Sequence, residues 1–145
     1  MLELYQNSLD AKEISCRWYE KYKSKNYGVL ITFIGIVRDE NGIDGLSFDI
    51  YEPILNSWFD SWQKKAKDKN AQILMAHSIG DVLNHHCSYI CGVLSPKRRV
   101  ALKMIDEFVE DFKANAPIWK YDLIKGKRVY AKDRSMALKH SGLLK

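Results

Sequence analysis

Ala101, Met104, Ile105, Phe108, Val109 and Phe112 recur at spacings of three and four, the period of a helix that turns one apolar stripe to a core. Ser95 offers an N-cap, Pro96 suits the first helical position, and Pro117 cannot continue a helix. The pattern therefore predicts a helix that opens at Ser95 and stops before Pro117, then a strand through Lys120 toward Ile124. Ile14, Trp18 and Tyr22 predict an earlier helix from Ser8 or Asp10 to about Ser24. Leu55, Trp58, Phe59, Trp62 and Ala66 predict another from Pro53 to about Lys69.

Strand patterns fill the spaces between. Leu2 to Tyr5, Leu46 to Tyr51, Ile73 to His77 and Tyr89 to Leu94 are short apolar runs. Lys127 to Ala131 can return on Tyr121 to Ile124 as a hairpin across a Lys125-Gly126 turn. The strongest run is GVLITFIGIVR, Gly28 to Arg38, nearly continuous in β-branched and aromatic residues. It predicts a strand covered on both faces, with Gly35 marking a bulge or a close backbone approach. Ser78 to Ser88 reads as a turn or irregular link, and Asp133 to Leu144 as a weakly helical basic tail. The order β-α-β-β-α-β-β-α-β-β, with strands in pairs, predicts an α+β fold with a largely antiparallel sheet. It carries no Rossmann or Walker glycine loop.

Composition narrows the class. A chain of 145 residues, 46% hydrophobic and 28% charged, fits one globular domain spanning 1–145. No apolar run approaches the ~20 residues of a membrane span. The first ten residues lack the charged start and apolar core of a signal peptide, so the expectation is a cytoplasmic protein. A net charge of +5 suits an anionic partner, but the basic residues are scattered, which weakens a nucleic-acid reading. Three cysteines argue against a disulfide framework. Cys87 and Cys91 on one strand would stand ~13 Å apart, too far to share a metal ion.

Two features of the 95–120 stretch work against plain helix stability. Lys97, Arg98 and Arg99 fill the first turn, where the helix dipole disfavours cations unless an anion is received. Arg98 falls near the line of the apolar stripe and must snorkel or meet a partner, whereas Arg99 points away. At the other end Lys113 and Lys120 flank the helix-to-strand corner at Pro117. Arg38, the first charge after ten uncharged residues, stands at a strand end that suits an anion.

The pieces GVLITFIGIVR, the HSIG beginning at His77, GVLSPKR (Gly92 to Arg98) and FKANAPIWK (Phe112 to Lys120) resemble the large, catalytic subunit of molybdopterin synthase, from about Gly28 to Arg134. The resemblance implies an α/β-hammerhead fold, a homodimer, and a small ubiquitin-like subunit on each copy, a heterotetramer in all. It implies transfer of sulfur from a Gly-Gly C-terminal thiocarboxylate on that small subunit to cyclic pyranopterin monophosphate, forming the dithiolene of molybdopterin. No metal or dissolved cofactor enters that scheme. Lys113 and Lys120 match the family's active-site lysines. Ile36, Val37 and Arg38 match a substrate-contacting strand end, Arg98 an anion-binding arginine, and Arg134 a further arginine of the pocket. Tyr121 and Asp122 follow the second lysine at positions that line the site. Lys97 stands where the family usually has His, Ser78 where it often has Arg, and His85, His86 and Cys87 replace a Gly-acidic turn.

Helix length adds a geometric expectation. Arg98 and Lys113 are fifteen residues apart, ~22 Å at 1.5 Å per residue. If both serve one small substrate, two subunits share the pocket. Lys97, Arg98 and Arg134 are then expected to reach the Lys113–Lys120 pair of the dimer mate. The competing readings are a basic nucleic-acid-binding module, which predicts salt-sensitive binding, and an inactive partner-binding scaffold, which the change to Lys97 would suggest.

Overall fold

The computed structural model describes residues 1–131. The elements follow the expected order: β1 (Leu2–Gln6), α1 (Ala11–Tyr22), β2 (Val29–Ile36), β3 (Gly45–Ile50), α2 (Glu52–Lys67), β4 (Gln72–Leu83), β5 (Cys87–Ser95), α3 (Arg98–Asn115), β6 (Ile118–Ile124) and β7 (Lys127–Tyr130). The strands run β2-β5-β4-β3-β6-β7, with β1 also on β4, and among the described residues every pairing is antiparallel except β1 with β4.

β4 joins two halves of this sheet. Its residues Gln72 to His77 pair with β5, while Gly80 to Leu83 pair with β3. Gly80 sits at the changeover with φ of +84°, a conformation that L side chains rarely adopt. The expected irregular link from Ser78 to Ser88 is therefore wrong. The strand continues to Leu83, and only Asn84, His85 and His86 turn the chain into β5. The polar residues here looked like a loop because their ladder partners lie in β3, remote in sequence. Ser47 on β3, for example, donates from Oγ to Asp81 Oδ1 at 2.6 Å.

A second correction concerns β2. Among the described residues it pairs with β5 alone and is a sheet edge; its first half packs on both faces, Val29 and Ile31 on one and Leu30 on the other, but Phe33, Ile34 and Ile36 are exposed by 39%, 41% and 60%. An apolar β-branched run specifies a strand, but which neighbours flank it is decided elsewhere in the chain. The expectation at Gly35 holds: the register shifts between Gly35 and Ile36, and a Cβ on Gly35 would stand 3.3 Å from the Cβ of Tyr89.

The core forms in two layers. α2 and α3 bury Leu55, Phe59, Trp62, Met104 and Phe108 against Ile73, Met75, Cys91 and Val93 on one face. α1 buries Ile14 and Trp18 against Leu74, Ala76, Ile90 and Leu94 on the other. The alternation of β4 and β5 residues between these layers is the period-2 rule at work. Two indoles tie the outer helices together, since Trp58 and Trp62 both donate to Asp111 Oδ2, at 2.9 and 2.7 Å.

The start of α3 also differs from expectation. Ser95 is the last residue of β5, held in register opposite Val29, and its carbonyl accepts from Gly28 N at 3.0 Å. Its hydroxyl accepts from Lys97 N at 3.1 Å, so it stabilises the approach to the helix without capping it. Lys97 takes the N-cap position with no side-chain cap, and the first turn holds no acidic residue.

Candidate active site

α3 stops where Pro117 requires it. Ala116 leaves helical geometry at φ −64°, ψ 135°, after donating its N–H to Phe112 O at 3.1 Å. Ile118 N then reaches back to Ala116 O at 2.8 Å, closing a tight corner into β6. Lys113 lies in the last helical turn, exposed and complementary to the negative end of the helix dipole. Lys120 lies two residues into β6 from Ile118, half-buried and directly opposite Phe48 of β3. The two lysines thus flank the corner from the helix side and from the strand side.

Beneath the corner runs a floor of rings. Phe48 meets His77 edge-on at 4.9 Å between ring centroids. Phe112, the neighbour of Lys113, lies 5.6 Å from His77 and stacks on Tyr89 at 4.1 Å, nearly parallel. Tyr89 in turn meets Phe33 of β2 at 6.0 Å. His77 is buried, and its Nδ1 is bonded to Ser78 O at 2.7 Å. Burial pushes its pKa down to about 4; the bond to Ser78 opposes this and the charge of Lys120 adds to it. The strand expected to end at His77 continues to Leu83, so the histidine stands inside β4.

The other predicted residues divide. Val37 is buried with Phe48 and Val82, and its N–H donates to His86 O at 2.9 Å. That brings the end of β2 to the Phe48–Lys120 pair through packing, with the Val37 side chain directed into the core. Ile36 is exposed, and Arg38 is exposed and paired with Glu40 at 3.0 Å. Asp122 shares the Lys120 face of β6 by strand alternation. Tyr121 takes the opposite face, under the Arg128 guanidinium at 3.9 Å and against Tyr130 at 5.7 Å. Lys97 and Arg98 are exposed at the far end of an unbroken eighteen-residue helix. The structure therefore separates Arg98 from Lys113 of its own chain by ~22 Å along the axis. Arg134 lies outside the described residues.

Phe48, His77 and Tyr89 were missing from the sequence-based site. Phe112 was read only as part of the core stripe. Their signal was contact between β3, β4, β5 and α3, which no local spacing encodes. The cysteines contribute no reactive thiolate to this corner. Cys87 and Cys91 are buried on β5, and burial drives the Cys91 thiol up to about 12. Among the described residues no group of three His, Cys, Asp or Glu side chains is arranged to hold a metal ion.

A half-buried cation, an exposed cation and a partly buried aromatic floor suit an anionic, partly planar ligand. Comparison with known proteins bears on which one. The family described as MoaE protein matches residues 5–115. A molybdopterin synthase catalytic subunit of Helicobacter pylori is 51% identical over 144 residues, covering 99% of both chains. A solved complex of subunits 1 and 2 of the molybdopterin-converting factor from Helicobacter pylori contains a chain that superposes with a TM-score of 0.93, at 51% identity and 99% coverage of each. A molybdopterin synthase from Staphylococcus aureus, at 20% identity, shares the fold with a TM-score of 0.74 over 88% of this chain and 94% of its own. With a family match across most of its length and a relative half identical from end to end, the chain belongs to the MoaE family.

Proposed function

We propose that this chain is the catalytic subunit of a molybdopterin synthase, working in the cytoplasm as a homodimer with one small ubiquitin-like sulfur-carrier subunit on each copy. Its reaction transfers sulfur from the carrier's C-terminal thiocarboxylate to cyclic pyranopterin monophosphate. The observation that carries this reading is the lysine-flanked corner at Pro117, in a chain with the family's sequence over most of its length.

The chemistry follows from charge. Both reactants are anionic, and sulfur transfer requires the thiocarboxylate to be held, its acyl group to leave and protons to move. Lys120, half-buried above an aromatic floor, supplies a cation in low dielectric, where it acts most strongly on charge developing at the acyl oxygen. Lys113, exposed at the rim, suits capture of the incoming anion. Asp122 shares the Lys120 face, and the Ile36–Arg38 segment reaches the same region through Val37. The distance along α3 supports a pocket completed by Lys97 and Arg98 of the dimer mate, and Arg134 is the third arginine proposed for it.

The test mixes the protein with thiocarboxylated carrier and the pterin precursor and follows the dithiolene product. Wild type forms it, and Lys120→Ala lowers the turnover rate ~100- to 1000-fold, the range for loss of one charge-stabilising group. No product from wild type, or an unchanged rate in Lys120→Ala, would overturn the assignment.

A further inference from the structure

Among the described residues, nothing pairs with the outer edge of β2. Thr32, Phe33, Ile34 and Ile36 are exposed along it. Phe33 and Ile34 are adjacent, so the exposed apolar side chains project from both faces of the edge. No residue from Val29 to Ile36 is charged and none is proline, the devices by which natural sheets protect a free edge. Phe33 also meets Tyr89, the ring that stacks on Phe112 beside Lys113, so the edge is continuous with the floor of the site.

The placement of α3 says what covers this edge. β2 and α3 run side by side in the same direction. Val29 lies opposite Ser95, three residues before α3 begins, while Phe112, near the end of α3, stacks on Tyr89, the partner of Gly35. Their lengths match, since eight strand residues at ~3.3 Å and eighteen helical residues at 1.5 Å both span about 27 Å. α3 packs over β5 and β2, and α2 over β4. Asp111 faces α2, where it holds the two indoles. Leu102 is nine residues before Asp111, about half a turn out of phase at ~100° per residue, and so points away from α2 toward the β2 edge, where it is exposed. Arg98 and Lys113 fall within about 40° of the same side.

We propose that β2 is the seam between two copies of this chain: the two β2 strands pair antiparallel about a two-fold axis crossing Thr32 to Ile36, and the sheets become one. Such a contact is self-complementary, as a two-fold interface must be. The axis of an antiparallel pair stands perpendicular to the sheet, so both α3 helices lie on the same face. They run antiparallel, at about the 8–10 Å of packed helices, and Leu102 of each faces the other copy. Arg98 of each copy is thereby carried to the Arg38 end of its mate's β2 and the Lys113 end of its mate's α3. The opposite edge, β7, carries Lys127 and Arg128 and lies four strands from β5, so pairing there would leave the two ends of α3 apart. The proposal rests on the shared pocket of the proposed function and names the surface that builds it.

Sedimentation equilibrium of the full chain should give a dimer. Ile34→Lys sets two like charges beside the axis and should raise the dimer dissociation constant ~100-fold or more, with the far-ultraviolet circular dichroism spectrum unchanged. A second variant adds no charge. In a Cys16→Ser background, which removes the exposed thiol and leaves Cys87 and Cys91 buried, Ile34→Cys should form a covalent dimer with a short bismaleimide. Leu83→Cys, exposed on β4 away from the seam, should not. A monomeric wild type, a dimer untouched by Ile34→Lys, no cross-link at Ile34→Cys, or equal cross-linking at Leu83→Cys overturns the proposal. An Ile34→Lys protein that stays dimeric but no longer binds the sulfur carrier would give this edge to the carrier, and overturns it too. None of these measurements needs turnover. If the wild type dimerises through β2 and makes no dithiolene, the reaction assignment falls and the seam stands.

Discussion

At the scale of single residues, the buried His77 makes a prediction about stability. His77 in the folded protein titrates near 4 against 6.5 for an unperturbed histidine, chiefly because burial disfavours its cation. Between those values the unfolded chain binds a proton that the folded chain refuses. The stability that neutral His77 contributes is therefore complete above pH 6.5 and is lost as pH falls toward 4, a loss on the order of 3 kcal/mol. The urea midpoint of the wild type should fall across that window by more than that of His77→Phe. Equal slopes in the two proteins would contradict the burial argument. Asp111 illustrates the opposite balance. Burial alone would raise its pKa, but hydrogen bonds from Trp62, Asn115 and Trp58 outweigh it and hold the carboxyl below its ordinary value.

At the scale of elements, Asp111 is where α2 and α3 are joined. Replacing it with Ala leaves two indole N–H groups at the helix interface without their acceptor. Asp111→Ala should destabilise the fold by about 2–4 kcal/mol, from lost charge-assisted hydrogen bonds and unsatisfied donors. Chemical denaturation should show a lower midpoint with an unchanged slope. A shift below ~0.5 kcal/mol would mean that the indoles find other partners. Since Phe112 and Lys113 follow directly on α3, the variant should also weaken sulfur transfer in proportion to how far the helix end moves.

At the scale of the whole molecule, the unbroken α3 separates its two cationic ends, and this supports a pocket shared between copies. Arg98→Ala and Lys120→Ala homodimers should each be nearly inactive. After mixing and subunit exchange, half of the dimers are hybrids, and each hybrid carries one intact site, so activity should recover to about a quarter of wild type. No recovery would place all the functional groups of a site on one chain. The exposed apolar edge at Phe33, Ile34 and Ile36 is the kind of strand that natural sheets cover or charge, whereas the opposite edge strand, β7, carries Lys127 and Arg128.

The sequence by itself determined the order and type of every element among the described residues, the stop at Pro117, the irregularity at Gly35 and the two-ended character of α3. Those features arise from local causes: side-chain period, proline chemistry and axial rise. Its motifs also carried the family. What only the tertiary structure decided depended on partners distant in the chain. β3 supplied the ladder that extends β4 to Leu83 through residues that read as a loop. The pairing order made β2 an edge despite its core-like composition. Ser95 became a strand end and not a helix cap because Gly28 and Val29 hold its backbone. His77 became a buried residue boxed by Phe48, Tyr89 and Phe112 because β3, β5 and α3 converge on it. Periodicity fixes which side of an element is apolar, but the sheet's pairing order decides what that side meets.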